Sequence, residues 1–372
     1  MDFEFSAEQE ELRATVRRFL AERAPISYVR EMLDDERGTT DDVWKGLADL
    51  GVIGLLAPEE HGGAGMGMVD LAVVLEELGR ALHPGPFASS AVATTSLVSL
   101  AGDDADRAAL LPGLASGATH GTVALYEPGL RSKWRAPETT ARADGAEWRI
   151  SGEKVHVPDA AAADVLIVTA TGPDGPGAFV IGREAGAVDI ASTPTVDGTR
   201  KEATVTFTDA SATRLGGHDA DVTEAVAAVV DRMAVAAVVD GVGAASHALE
   251  ISIEYAKERR QFDQPIGSFQ AVQHLCADML RAVELARAAA YYACWAVDAA
   301  PPAERHRAAT MAKAFAADEL YRVGAAAVQV HAGIGYTWEH DIHLFYKRLL
   351  ILQHHGGSSA DHLEELASIV LD

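Results

Sequence analysis

The spacing of apolar residues changes period twice along the chain, and that switch constrains the fold more than any other feature. From Ser6 to about Leu114 apolar side chains recur at helical spacing, beginning with Leu12, Val16, Phe19 and Leu20. A predicted capping box precedes them, with Ser6 as N-cap and Gln9 at the third helical position. Between Gly121 and Leu215 the texture becomes short runs rich in Val, Ile, Thr and Phe, at 122–125, 148–151, 165–169, 178–181 and 203–207, separated by Gly, Pro and Asp. These predict antiparallel strands. Ala-rich helical segments return from Val222, broken at Pro265, at Pro301-Pro302 and at the turn holding Gly333 and Gly335. The expected division is a helical domain 1–118, a β domain 119–218 and a helical bundle 219–372. That order does not fit an alternating βαβ sheet, so Rossmann and P-loop folds are set aside.

Charge adds a second exclusion. The 372 residues include 31 Lys and Arg against 55 Asp and Glu, a formal −24 at pH 7, a poor basis for neutralising the phosphates of a nucleic acid. The opening MDFEFSAEQEELRATVRRFL is acidic and lacks the basic start and continuous apolar run of a secretion signal. No stretch offers about 18 uncharged apolar residues; the nearest, 225–239, is interrupted by Asp231 and Arg232. A cytoplasmic protein without a membrane segment is expected. Cys276 and Cys294 share one helix-patterned stretch, where 18 residues at about 1.5 Å each put them roughly 27 Å apart, too far to bridge. Two buried, reduced thiols are expected.

Several motifs carry little. The glycines of His61-Gly62-Gly63-Ala64-Gly65-Met66-Gly67 fit neither phosphate-loop spacing and read as a loop. His340, His343, His354 and His355 lack partners at metal-ligand spacing, so no metal site is expected. No G-x-S-x-G elbow is present, and neither cysteine has a charged neighbour to activate it.

The informative stretch is Tyr255-Ala-Lys-Glu-Arg-Arg-Gln-Phe-Asp-Gln-Pro-Ile-Gly-Ser-Phe-Gln270, a helix end, a turn and a helix start. Arg259 offers a fork to phosphate, Phe262 a face to a planar ring and Gln270 amide hydrogen bonds. With Pro58-Glu-Glu-His-Gly-Gly63, Tyr126-Glu-Pro128 and Gln329-Val-His-Ala-Gly-Ile-Gly-Tyr-Thr-Trp-Glu-His-Asp341, the whole chain resembles the acyl-CoA dehydrogenase family. The resemblance implies a mainly α fold: a helical N-terminal domain, a β-barrel-like middle domain and a C-terminal four-helix bundle. It also implies FAD as cofactor, an acyl-CoA substrate and electron-transfer flavoprotein or a similar acceptor, in fatty acid or steroid side-chain catabolism.

In that family a glutamate removes the Cα proton while the flavin accepts hydride from Cβ. The position of the usual glutamate, 23 residues after the glycine matched by Gly333, holds Gly356. The alternative position, 26 residues before the arginine matched by Arg259, holds Met233. Asp231 lies about 200° around the helix from Met233, and Asp231 and His355 are the remaining candidate bases. The residues matching the family's contacts to the adenine and pyrophosphate of FAD, usually made from a neighbouring subunit, are Arg259, Phe262, Gln270, Gln329 and Gly333. Around the flavin ring the family's Thr-Glu-Pro, Gly-Ser and Trp-Ile-Thr become Tyr126-Glu-Pro, Arg131-Ser132 and His156-Val157-Pro158, leaving Ser132 as the one retained contact. Pro158 removes an N–H donor outright.

Some actinobacterial family members, including those acting on steroid side-chain CoA thioesters, are α2β2 heterotetramers in which one subunit carries base and flavin ring and the other completes the FAD site. The chain is similar to that second subunit. Two other readings stand beside it: a self-sufficient homotetrameric dehydrogenase with a displaced base, and a flavin-free acyl-CoA-binding or assembly subunit. All three imply an oligomer.

Overall fold

The computed structural model describes residues 5–129, 134–145, 147–217 and 220–371. Its helices in chain order are α1 (Ala7–Arg23), α2 (Ile26–Glu31), α3 (Asp41–Asp49), α4 (Met68–Arg80), α5 (Thr95–Ala101), α6 (Asp104–Ala115), α7 (Thr223–Glu258), α8 (Gln270–Ala299), α9 (Pro302–His331), α10 (Ile342–Leu352) and α11 (Ser359–Leu371). The main strands are β1 (Gly121–Ala124), β2 (Thr140–Asp144), β3 (Glu147–Pro158), β4 (Val165–Gly172), β5 (Gly175–Gly182), β6 (Val188–Thr193) and β7 (Glu202–Arg214), with a short hairpin of β8 (Arg260–Gln261) and β9 (Gln264–Pro265) between α7 and α8. This is the expected architecture, helical ends around a β middle. Among the described residues no helix is long and apolar enough to cross a membrane.

The chain folds into two compact units, one of residues 1–30, 68–83 and 234–372, the other of 31–67 and 84–233. In the second, the strands follow the order β1-β4-β2-β3-β7-β5, and β4 also pairs with β5, so the sheet closes on itself. Alternate residues of β7 and β3 point inward, and Trp148, Ile150, Val205 and Phe207 fill the interior with Phe179 of β5. Not every pairing is antiparallel: β1 runs parallel to β4 in register Gly121↔Val165, and β2 meets β4 in a parallel bridge at Thr140↔Thr171. The expectation of antiparallel strands throughout is corrected here. Parallel pairing needs a long connection, and the intervening β2–β3 hairpin supplies one between β1 and β4. The glycine-rich segment 61–67 is a loop, folded back through Gly65 N–H to Ala57 O at 2.9 Å and Met66 N–H to Leu55 O at 2.8 Å.

In the other unit α4 meets α7 at glycines on both sides. A Cβ at Gly79 would lie 1.9 Å from Asp240 O, and one at Gly243 would lie 1.9 Å from Glu76 O, so the helices approach too closely for any side chain. Beside this crossing the buried Arg348 of α10 donates to both Asp240 oxygens at 2.9 and 3.0 Å, and toward the Leu82 and His83 carbonyls that end α4. Both cysteines lie on α8 and are free; Cys294 is buried, whereas Cys276 is half-buried, which corrects the expectation of two buried thiols.

Candidate functional site

Helix α7 ends where Arg259 N–H closes on Tyr255 O at 2.8 Å; Ile266 N–H then donates to Arg259 O at 2.8 Å and closes the β8–β9 hairpin. The hairpin tip, Phe262 and Asp263, sits at left-handed φ of 51° and 63°. That turn presents Phe262 to solvent at 86% exposure, with its ring edge-on to Phe269. Gln270 opens α8, and Gln329 and Gly333 flank the end of α9; all three are exposed. Among the described residues no side-chain hydrogen bond or ion pair engages Arg259, Gln270 or Gln329, and a Cβ at Gly333 would meet nothing within 4 Å. Of the neighbouring cations, Lys257 pairs with Glu254 at 2.6 Å and Arg260 donates to Asp263 O at 2.6 Å. Arg259 is therefore the available guanidinium of that cluster.

The two halves of the group are linked by rings. Tyr255, whose carbonyl anchors Arg259, stacks on His331 with centroids 4.5 Å apart, and His331 lies two residues from both Gln329 and Gly333. The structure thus ties the Arg259 segment to the Gln329 segment. A fork donor, an exposed aromatic ring, two amides and an open glycine fit a planar, pyrophosphate-bearing ligand such as FAD.

The other predicted positions sit elsewhere. Gly356 lies in the turn between α10 and α11 at φ 71°, followed by Gly357 at φ 124°, where a Cβ would come within 2.7 Å of the His362 ring. The turn is held from below by Lys313, which has no exposed surface and donates to Leu352 O at 2.8 Å and Gly357 O at 2.9 Å. His362 Nε2 donates to Gly356 O at 3.2 Å. His355 is half-buried beside Gly356. Asp231 is only 3% exposed and already engaged within the chain, while Met233 and Tyr126 both pack against one apolar cluster that includes Leu97, Leu125 and Trp134. Ser132 lies outside the described residues, as does Arg131. Pro158 occupies the end of β3, where Thr122 Oγ1 donates to its carbonyl at 2.6 Å.

One carboxylate of the β unit is eliminated as a base on acid–base grounds. Glu127, 4% exposed, accepts from Lys154 Nζ at 2.8 Å, Thr139 Oγ1 at 2.6 Å, Thr139 N–H at 2.9 Å and Glu138 N–H at 2.7 Å. Burial pushes its pKa up, but those four donors together outweigh it and hold the carboxyl down at about 2. Burial of Lys154 brings that amine down to about 8 against the pull of Glu127. Neither this pair, nor Lys313, nor the Tyr255–His331 stack was anticipated from sequence. Lys154 did leave a signal, a charge on the inward phase of the strand that starts with Trp148 and Ile150.

The chain matches two families of known domains: residues 6–118 the acyl-CoA dehydrogenase N-terminal domain and residues 224–371 the acyl-CoA dehydrogenase C-terminal domain. It is 34% identical over 344 residues, 92% of each chain, to acyl-CoA dehydrogenase IpdE2 of Mycolicibacterium smegmatis. Among solved structures, a chain of the Tcur3481-Tcur3483 steroid ACAD superposes with a TM-score of 0.89 at 33% identity, over 98% of both chains. A chain of the ChsE4-ChsE5 complex from Mycobacterium tuberculosis superposes with a TM-score of 0.90 at 25% identity, covering 100% of this chain and 99% of that one.

Proposed function

The chain belongs to the acyl-CoA dehydrogenase family of FAD-dependent oxidoreductases, and from that membership we propose that it is a subunit without a catalytic base, completing the FAD site of a homologous partner. When bound, FAD supplies the hydride acceptor for α,β-desaturation of a CoA thioester. This chain's part is binding: Arg259 would offer its fork to the pyrophosphate and Phe262 its ring to the adenine, with Gln270, Gln329 and Gly333 completing the contact surface. The acyl group is of the fatty or steroid side-chain kind, and the electrons pass to electron-transfer flavoprotein or a similar acceptor.

The observation that carries the reading is the contrast between the two ends of the expected cofactor site. The residues expected to meet the adenine and pyrophosphate are exposed, whereas the position expected for the usual base is Gly356, in a turn of left-handed conformation. Pro158 adds support, because it has no N–H to offer a flavin ring. The match along nearly the full chain to members of the Tcur3481-Tcur3483 and ChsE4-ChsE5 assemblies supports a hetero-oligomer.

The test is to purify the chain alone and co-expressed with a homologue encoded beside it, then measure flavin absorbance per protomer. Half occupancy in the complex and none alone is the expected outcome. A chain that binds a full complement of FAD by itself and oxidises acyl-CoA overturns the reading.

A further inference from the structure

The rings that join the two halves of the site are titratable. Tyr255 of α7 and His331 of α9 are nearly parallel, at 27°, and His340 stands 4.5 Å from His331 and meets Tyr255 edge-on at 6.3 Å. His331 Nδ1 faces Ala327 O at 2.8 Å and so carries the ring proton of the neutral form, leaving Nε2 buried with no hydrogen-bond partner. His340 Nδ1 accepts from Ile342 N–H at 3.1 Å, which also suits a neutral ring. Between the two histidines the chain turns through Ala332, a non-glycine residue at φ 54°, and through Gly333. The cluster of three rings holds that turn against α7.

The surroundings oppose a positive charge. Arg30 of α2 donates to Asp341 at 2.7 Å, so the nearby carboxylate is committed. On α10, His343 packs edge-on against Trp338 at 4.8 Å with its Nε2 buried and unpartnered, and Lys347 lies over the Trp338 ring at 4.2 Å. From α9 the Ala327 carbonyl faces His331. A proton on His331 would thus create a buried N–H with no acceptor beside a second imidazole, and a proton on His340 would meet the positive charge of Arg30.

We propose that His331 and His340 are positioning residues that hold Gln329 and Gly333 in place relative to Arg259 only while both rings are neutral. The inference rests on the reading of those three residues as contacts to FAD in a partner's site. Burial supports it by pushing both imidazoles below their ordinary range; the Ala327 carbonyl partly offsets this at His331, and Asp341 at His340. The sign follows: where folding lowers an imidazole pKa, the fastening is complete above about 6.5 and is lost as pH falls toward the folded value.

The experiment uses the full chain, alone and in its co-purified complex, between about pH 7.5 and 5. In the chain alone, deuterium-exchange protection across residues 329–341, corrected for intrinsic exchange, should fall about tenfold on acidification while α8 stays protected. His340→Phe keeps that ring but leaves His331 to titrate and should lessen the fall, whereas His331→Phe combined with His340→Phe removes both titrations and should flatten the profile. In the complex, retained FAD should fall over the same range in the wild type and not in the double variant. Protection that is independent of pH, or that falls alike in the double variant and the wild type, overturns the inference. So does a segment that melts together with α8, which would mark a merely structural role. A complex that holds no FAD at any pH, with the exchange profile as expected, overturns the functional reading and with it the cofactor role of the rings.

Discussion

At the residue scale the Glu127–Lys154 pair shows how a charge can be buried without being reactive. Each partner is almost fully removed from water, and each is balanced by the other, by two threonines and by main-chain groups. Breaking a buried pair by removing one partner typically costs about 3–5 kcal/mol, whereas replacing both with apolar residues is often neutral. Lys154→Met should therefore lower unfolding stability by about 3–5 kcal/mol, and Lys154→Met with Glu127→Leu should recover most of it, measured by urea unfolding at neutral pH. Because folding lowers the Glu127 pKa from 4.5 to about 2, its contribution is fully present above pH 4.5 and is lost as pH falls toward 2. The double variant should show a shallower loss of stability across that window. This network was only half legible in the sequence. The inward phase of Lys154 is visible in the strand pattern, but Glu127, Thr139 and Thr169 come from three other segments that only the closed sheet brings together.

At the element scale, legibility follows the strength of local signals. The Ser6 capping box forms as read, with both reciprocal hydrogen bonds in place, and α7, α8 and α9 end close to the proline and glycine breaks that mark them. Strands β2 and β6 were not legible: with exposure patterns in which one residue of β2 and none of β6 is buried, they carry almost no apolar alternation and form only because β3 and β7 offer edges to pair with. The close crossing of α4 and α7 was equally silent, because Gly79 and Gly243 look like ordinary glycines within helical patterns. Here a substitution that normally favours a helix should do the reverse. Gly243→Ala places a methyl 1.9 Å from the Glu76 carbonyl, so the helices must separate, and overpacking of this kind costs about 1–3 kcal/mol or more. Calorimetry should show a lower melting temperature for Gly243→Ala. An unchanged or higher one would mean that the crossing yields without cost.

At the scale of the whole molecule, a formal charge of −24 sets the background against which any anionic cofactor must bind. Many cations of the described chain are already balanced within it, among them Arg17 by Glu77, Arg80 by Glu250, Arg287 by Glu76 and Arg348 by Asp240. Arg259 is exposed and engages no carboxylate, although its neighbours Lys257 and Arg260 are both engaged locally. A cation left unpaired in an acidic molecule is placed for a ligand from outside, and its loss should register in binding and not in folding. Arg259→Gln keeps a polar side chain of similar reach but removes the charge and the fork. A charge-assisted hydrogen bond is worth about 1.5–3 kcal/mol, so the variant's complex should hold FAD about ten- to a hundredfold more weakly. The melting temperature of the variant chain alone should match the wild type, because no intramolecular ion pair is lost. Screening gives a second check: raising salt should weaken FAD retention in the wild-type complex more than in Arg259→Gln, since only the former has this charge to screen. Equal retention in the two proteins at low salt would remove Arg259 from the cofactor surface and leave the guanidinium as a solvated helix end.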